Sequence, residues 1–121
     1  MRIVRGDGGV PYAGRFTGEV ELQVLDEAPD ASWPDTALGR FRAGAVTNWH
    51  SHPGGQNLWL VEGRGRIGNE ADGVVEIEPG TLVVTPPDER HWHGAVPGAD
   101  AVWLTMTWGT TAWEDAAPAE A

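Results

Sequence analysis

The chain has four histidines in its 121 residues, and they fall in two pairs of the form His-x-His. His50 and His52 lie in "NWHSHPGGQ", residues 48–56, and His91 and His93 in "ERHWHGA", residues 89–95. Imidazole is the commonest side-chain metal ligand and the group whose charge changes near neutral pH. A spacing of two puts both rings of a pair on one face of a β-strand, because alternate side chains share a face. Trp49 and Ser51 then point the other way, as does Trp92. Pro53-Gly54-Gly55 makes a turn, after which Gln56 can swing back beside the first pair. Three imidazoles and one amide carbonyl can therefore converge on a single ion from two strands. A lone histidine is usually a surface or hydrogen-bonded core residue, but two pairs that exhaust the histidines favour a metal site over coincidence. His93 stays open between a ligand, a group that orients a ligand, and a surface residue.

Composition narrows the chemistry. There is no cysteine, so disulfides and thiolate ligands are excluded and an ion must be held by nitrogen and oxygen. Such donors suit Mn, Fe, Co, Ni or Zn. The formal net charge is −10, which repels phosphate backbones and anionic lipid; the expected partner is a small molecule, not nucleic acid or membrane. "MRIVRGDGG" has no apolar run of signal-peptide length and no segment approaches a membrane span, so a cytoplasmic address is expected.

The elements that must position these residues are short strands. "GEVELQVL" (18–25), "TALGRFR" (36–42), "NLWLVEG" (57–63), "GRGRIGN" and "VVEIEPG" around "NEADG", "TLVVTPP" (81–87) and "AVWLTMTW" (101–108) are apolar or alternating runs. Gly and Pro supply 17 and 9 residues, spread between these runs as breakers. About eight strands without intervening helices predict an all-β antiparallel sandwich or barrel. One helical turn near "TTAWEDAA" (110–117) and a frayed tail over 116–121 complete the reading, with residues 1–115 as a single domain. Seven tryptophans in so short a chain are expected to fill a barrel interior or a dimer face. Exposed strand edges and that aromatic surplus predict a homodimer.

The clusters resemble a known family. Gly44-x5-His50-x-His52-x3-Gln56-x6-Gly63 follows the first cupin motif, with Gln56 where most cupins have glutamate. Gly80-x5-Pro86-x-Asp88-x2-His91 follows the second, with Asp88 in place of glycine and Ala95 in place of asparagine. Asp tolerates the turn conformation that glycine would supply. The resemblance implies a small single-domain cupin of the RmlC-like type, a jelly-roll barrel of the double-stranded β-helix kind with little helix. "FTGEVELQVL", "TNWHSHPGGQ" and "RHWHGAVP" are similar to the manganese-dependent hydroxynitrile lyases within it. That similarity implies His50, His52, Gln56 and His91 as ligands of one divalent ion, manganese first among the metals named above, with His93 lining the pocket. Ala37, Gly39, Trp103 and Thr105 are expected to border the substrate; Trp103 stands where those lyases place a further histidine.

A ligand set of three imidazoles and an amide is neutral, so the ion keeps its full charge and polarises a carbonyl or hydroxyl strongly. This favours Lewis-acid lyase, isomerase or dehydratase chemistry, with His93 as general acid or base. An iron-dependent dioxygenase and a non-catalytic small-molecule-binding module are the alternatives. Arg90 is expected to be a salt-bridged surface residue without a role in the site, and Trp59 and Trp108 to be packing residues.

Overall fold

The computed structural model describes residues 1–119, which form strands and turns with no helix. Of thirteen strands, eight have four residues or more: β3 (Val20–Asp26), β4 (Asp35–Phe41), β7 (Gln56–Gly63), β8 (Gly65–Asn69), β9 (Gly73–Ile77), β10 (Leu82–Thr85), β11 (His91–Ala95) and β12 (Ala101–Thr107). The others, β1 (Val10–Pro11), β2 (Phe16–Thr17), β5 (Val46–Thr47), β6 (His50–Ser51) and β13 (Ala112–Trp113), are two-residue pairings. Every pairing is antiparallel. One sheet runs β1-β3-β4-β12-β7-β10; the other runs β13-β6-β11-β5-β2, with β8 and then β9 added on the far edge of β11. This is the expected antiparallel barrel.

Alternation builds the core. Leu58 and Leu60 on β7 point inward and are fully buried, and they pack with Val20, Phe41, Ile67, Ile77, Ala95, Ala101 and Trp103. Trp59 lies between them in sequence and so faces outward, 40% exposed, opposite Leu82 and Leu104. This register places Trp59 on the outer face beside Leu82 and Leu104, away from the barrel interior.

The second sheet buries its other face with Val46, Trp49 and Trp92. Gly68 lies opposite Trp92, and a Cβ there would fall 2.4 Å from the indole, so only glycine leaves the ring its seat. The Arg66 guanidinium lies over Trp92 at 5.4 Å and donates to the carbonyls of Ala95 and Gly44 at 2.8 and 3.2 Å.

One turn follows the motif reading and one expected element does not form. Asp88 takes φ 64°, the left-handed conformation that glycine supplies elsewhere in the family pattern. No helical turn forms over 110–117; Ala112 and Trp113 pair with Ser51 and His50 instead. Beyond β13, the Trp49 amide donates to the Ala116 carbonyl at 3.0 Å and Pro118 is buried. The last two residues of the expected tail, 120 and 121, lie outside the described residues. No helix among the described residues is long and apolar enough to cross a membrane.

Candidate metal centre

The two His-x-His pairs meet. β6 and β11 are antiparallel neighbours with His91 directly opposite His50, so one register brings both pairs to the inner face. Ring centres are 4.4 Å apart for His50 and His91, 4.9 Å for His50 and His52, and 5.3 Å for His52 and His91. All four histidines and Gln56 are buried.

Hydrogen bonds decide which nitrogens carry protons. His50 Nδ1 donates to the Asn48 carbonyl at 2.8 Å, and His91 Nδ1 lies 3.1 Å from the Glu89 carbonyl. A carbonyl can only accept, so in neutral His50 Nε2 bears a lone pair, whereas His91 faces a carbonyl oxygen at each ring nitrogen. His52 Nδ1 meets Thr111 Oγ1 at 3.0 Å, and its Nε2 is buried without a partner. The Gln56 amide nitrogen donates to Thr107 Oγ1 at 2.9 Å, which turns the amide oxygen inward, 3.0 Å from His91 Nε2.

The rings are held neutral. Burial pushes His52 down to about 4, helped by its neighbour His91. Burial drives His50 and His93 well below the usual imidazole range, with neighbouring imidazoles adding to the effect, and lowers His91. Neutral His91 has one ring proton for two facing oxygens, the Glu89 carbonyl and Gln56 Oε1, so one of its two contacts brings acceptors together. That contact is repulsive alone and favourable beside a cation. Neighbouring donors about 3 Å apart are also what bonds of about 2.1 Å to one ion produce at right angles. The residues fit a divalent transition metal.

A cavity of about 240 Å³ opens onto this cluster. Its lining includes His50, His52, Gln56 and His93 together with the expected Ala37, Gly39, Trp103 and Thr105. His91 stands behind them, fully buried.

A model of the cupin domain matches residues 37–107, the span that contains this entire cluster. The chain is a cupin. Over 96 residues it is 45% identical to an (R)-mandelonitrile lyase of Granulicella tundricola, covering 79% of this cupin and 73% of the relative. A cupin-like protein from Thermotoga maritima superposes with a TM-score of 0.85 at 30% identity, over 93% of this chain and 89% of the other. A putative acetylacetone dioxygenase from Methylibium petroleiphilum shares the fold at TM-score 0.79 and 20% identity, over 98% and 85% of the two chains.

Within this cupin, His93 occupies an intermediate place. A ligand atom of His93 lies within 4.8 Å of those of His50 and His91, a set that excludes His52. Its Nδ1 is buried without a partner, while its backbone amide is pinned to Thr47 Oγ1 at 3.1 Å. Phe41 and the edge of Trp103 support the ring at 5.5 and 5.7 Å. Trp103 donates its indole N–H to the Gly94 carbonyl at 3.0 Å and belongs to both the apolar core and the pocket wall, so it forms the floor between them.

Several residues of the site carry no motif. Thr111 and Trp113 come from the C-terminal segment: Thr111 orients His52, and the Trp113 ring lies 4.6 Å from His50. Tyr12, Phe16, Leu22 and Val24 form an apolar wall. The alternation of "GEVELQVL" marks the face of Leu22 and Val24, but nothing in the pattern assigns that face to a cavity. Glu89 acts through its carbonyl, for which side-chain reading has no signal.

Proposed function

We propose that this cupin is a manganese-dependent lyase acting on a small oxygenated molecule, and specifically that it cleaves a mandelonitrile-type cyanohydrin into an aldehyde and hydrogen cyanide. One observation carries the reading: His91 Nε2 and Gln56 Oε1, 3.0 Å apart, and the buried, unpartnered His52 Nε2 converge beside a small cavity with an aromatic wall. The name of the 45%-identical relative supports the choice of substrate.

His50, His52, Gln56 and His91 would hold the ion. When bound, it supplies a Lewis acid whose charge no ligand offsets. Phe16, Phe41 and Trp113 offer apolar faces to a substrate ring, and Thr105 a hydroxyl to its oxygen. Burial keeps the His93 imidazole neutral, ready to accept a proton. It takes the proton of the substrate hydroxyl, the O–H electron pair becomes the second bond of the carbonyl, and the bond to the nitrile carbon breaks. Cyanide departs with that bond's pair and collects the proton from His93, which returns to its starting state. Gln56 in place of a carboxylate favours this polar chemistry over oxygen activation, where an anionic ligand would help to stabilise higher oxidation states of iron.

The test is aldehyde release from racemic mandelonitrile, followed by absorbance, with manganese-loaded protein, chelated protein and His52→Ala. Turnover above background in the loaded protein alone is expected. An ion bound at one per chain with no aldehyde released would refute the lyase reading and leave only the metal site.

A further inference from the structure

Arg90 has the most elaborate surroundings of any charged residue outside the pocket. Its guanidinium lies 3.9 Å from the centre of the Trp49 ring. It donates to both carboxylate oxygens of Glu114, from Nε at 2.5 Å and Nη2 at 2.9 Å, and from Nη1 to Glu70 at 2.9 Å. The two-point fork is the strong geometry for a guanidinium and a carboxylate.

The partners lie on two different parts of the metal centre. Arg90 sits between Glu89, whose carbonyl orients His91, and His91 itself. Glu114 follows Trp113, which pairs with His50 and stacks near its ring. Residues 108–116 form a strap along the edge of β6. Trp108 exchanges backbone hydrogen bonds with Gly54 and Gly55 at the strap's start, and Glu114 and Ala116 bracket Trp49 at its end. The Asn48 side chain also donates to the Glu114 carbonyl at 3.2 Å, next to the Asn48 carbonyl that orients His50. In between, Thr111 supplies the hydrogen bond that sets His52. Backbone bonds hold the strap at its two ends and at its two-residue pairing with β6, and Arg90 adds the side-chain contact from the β11 side.

We infer that Arg90 is a positioning residue for the metal centre. Its fork to Glu114 clasps the C-terminal strap against the ligand strands and so fixes the rings of His50 and His52. The inference rests on the reading of the histidine cluster as a metal site. The clasp ties the start of β11 to the end of β13, strands that β6 separates in the sheet, and β6 itself meets β11 at one residue pair, His91 with His50. An exposed ion pair adds little to global stability, so its consequence falls on the site it orders. Groups that orient metal ligands typically change affinity by about 10- to 100-fold when removed.

The test is Mn(II) binding by calorimetry on wild type, Glu114→Gln, Arg90→Ala and the charge-exchanged pair Arg90→Glu with Glu114→Arg, together with amide hydrogen exchange. Glu114→Gln keeps the Arg90–Trp49 stack while removing the charge and one of the two acceptor oxygens of the fork, so it remains informative if Arg90→Ala fails to fold. Both single variants are expected to bind Mn(II) about 10-fold or more weakly. Exchange should quicken in residues 108–116 and not in β7 or β12, and the exchanged pair should recover much of the affinity. Unchanged Mn(II) affinity in Glu114→Gln, beside a wild type that binds normally, overturns this inference alone. A wild type that binds no Mn(II) overturns the metal reading, and the inference with it.

Discussion

His91 Nε2 and Gln56 Oε1 face each other at 3.0 Å, and the single ring proton of neutral His91 is contested by the Glu89 carbonyl at Nδ1. Gln56→Glu converts this pair into a carboxylate and an imidazole, and it breaks the donation to Thr107. A charged ligand holds a divalent ion more tightly and leaves it a weaker Lewis acid. Slower loss of manganese to chelator is expected, with turnover of mandelonitrile reduced about 10-fold or more, as for one misplaced electrostatic group.

His93 is separated from the ligands by a single comparison. His93→Ala should keep one ion per chain and lose about 10²- to 10⁴-fold in turnover, the range for a general acid or base. Metal analysis of the variant beside its rate decides the matter. Loss of the ion would instead make His93 a ligand, in line with its closeness to His50 and His91.

Acid should unfold the chelated protein early. The unfolded chain takes up a proton at His52 near pH 6.5, whereas the folded chain waits until about 4. The unfolded state thus binds more protons between these values, and stability falls as the pH drops through that window. Full stability is present above about pH 6.5, and His52 alone removes about 3 kcal/mol by pH 4. Denaturant midpoints of chelated protein at pH 7, 5.5 and 4 measure this. A bound ion should shift the loss to lower pH, because protons then compete with metal.

Trp103→Phe should lower stability by about 1–3 kcal/mol, since the Gly94 carbonyl loses its buried donor. The same change gives the pocket more depth below His93. Larger aldehydes should gain relative to benzaldehyde in the synthetic direction, measured as a ratio of kcat/KM values.

Most of the inner site was legible because strand alternation is a strict rule. His50, His52, His91 and His93 had to share faces once their segments were strands, and Asp88 had to turn as it does. "NLWLVEG" is apolar on both faces, so alternation alone does not say that Leu58 and Leu60 face the core and Trp59 the outside. The C-terminal segment was misread. "TTAWEDAA" has weak local preference, and its strand exists only because Ser51 and His50 offer an open edge far away in sequence. Arg90 is the ion-paired surface residue that the sequence suggested, with Glu70 and Glu114 as its partners; nothing in the sequence marks which carboxylates those are.

The two sheets of this barrel divide the work of the pocket. Every histidine comes from the β6 and β11 side, whereas Ala37, Gly39, Trp103 and Thr105 come from β4 and β12. Gln56 alone reaches across from the second group. A lineage, or an engineer, can therefore alter part of what the cavity accepts by exchanging side chains on β4 and β12 without touching a histidine, whereas Phe16 and Trp113 share their sheet with the histidines.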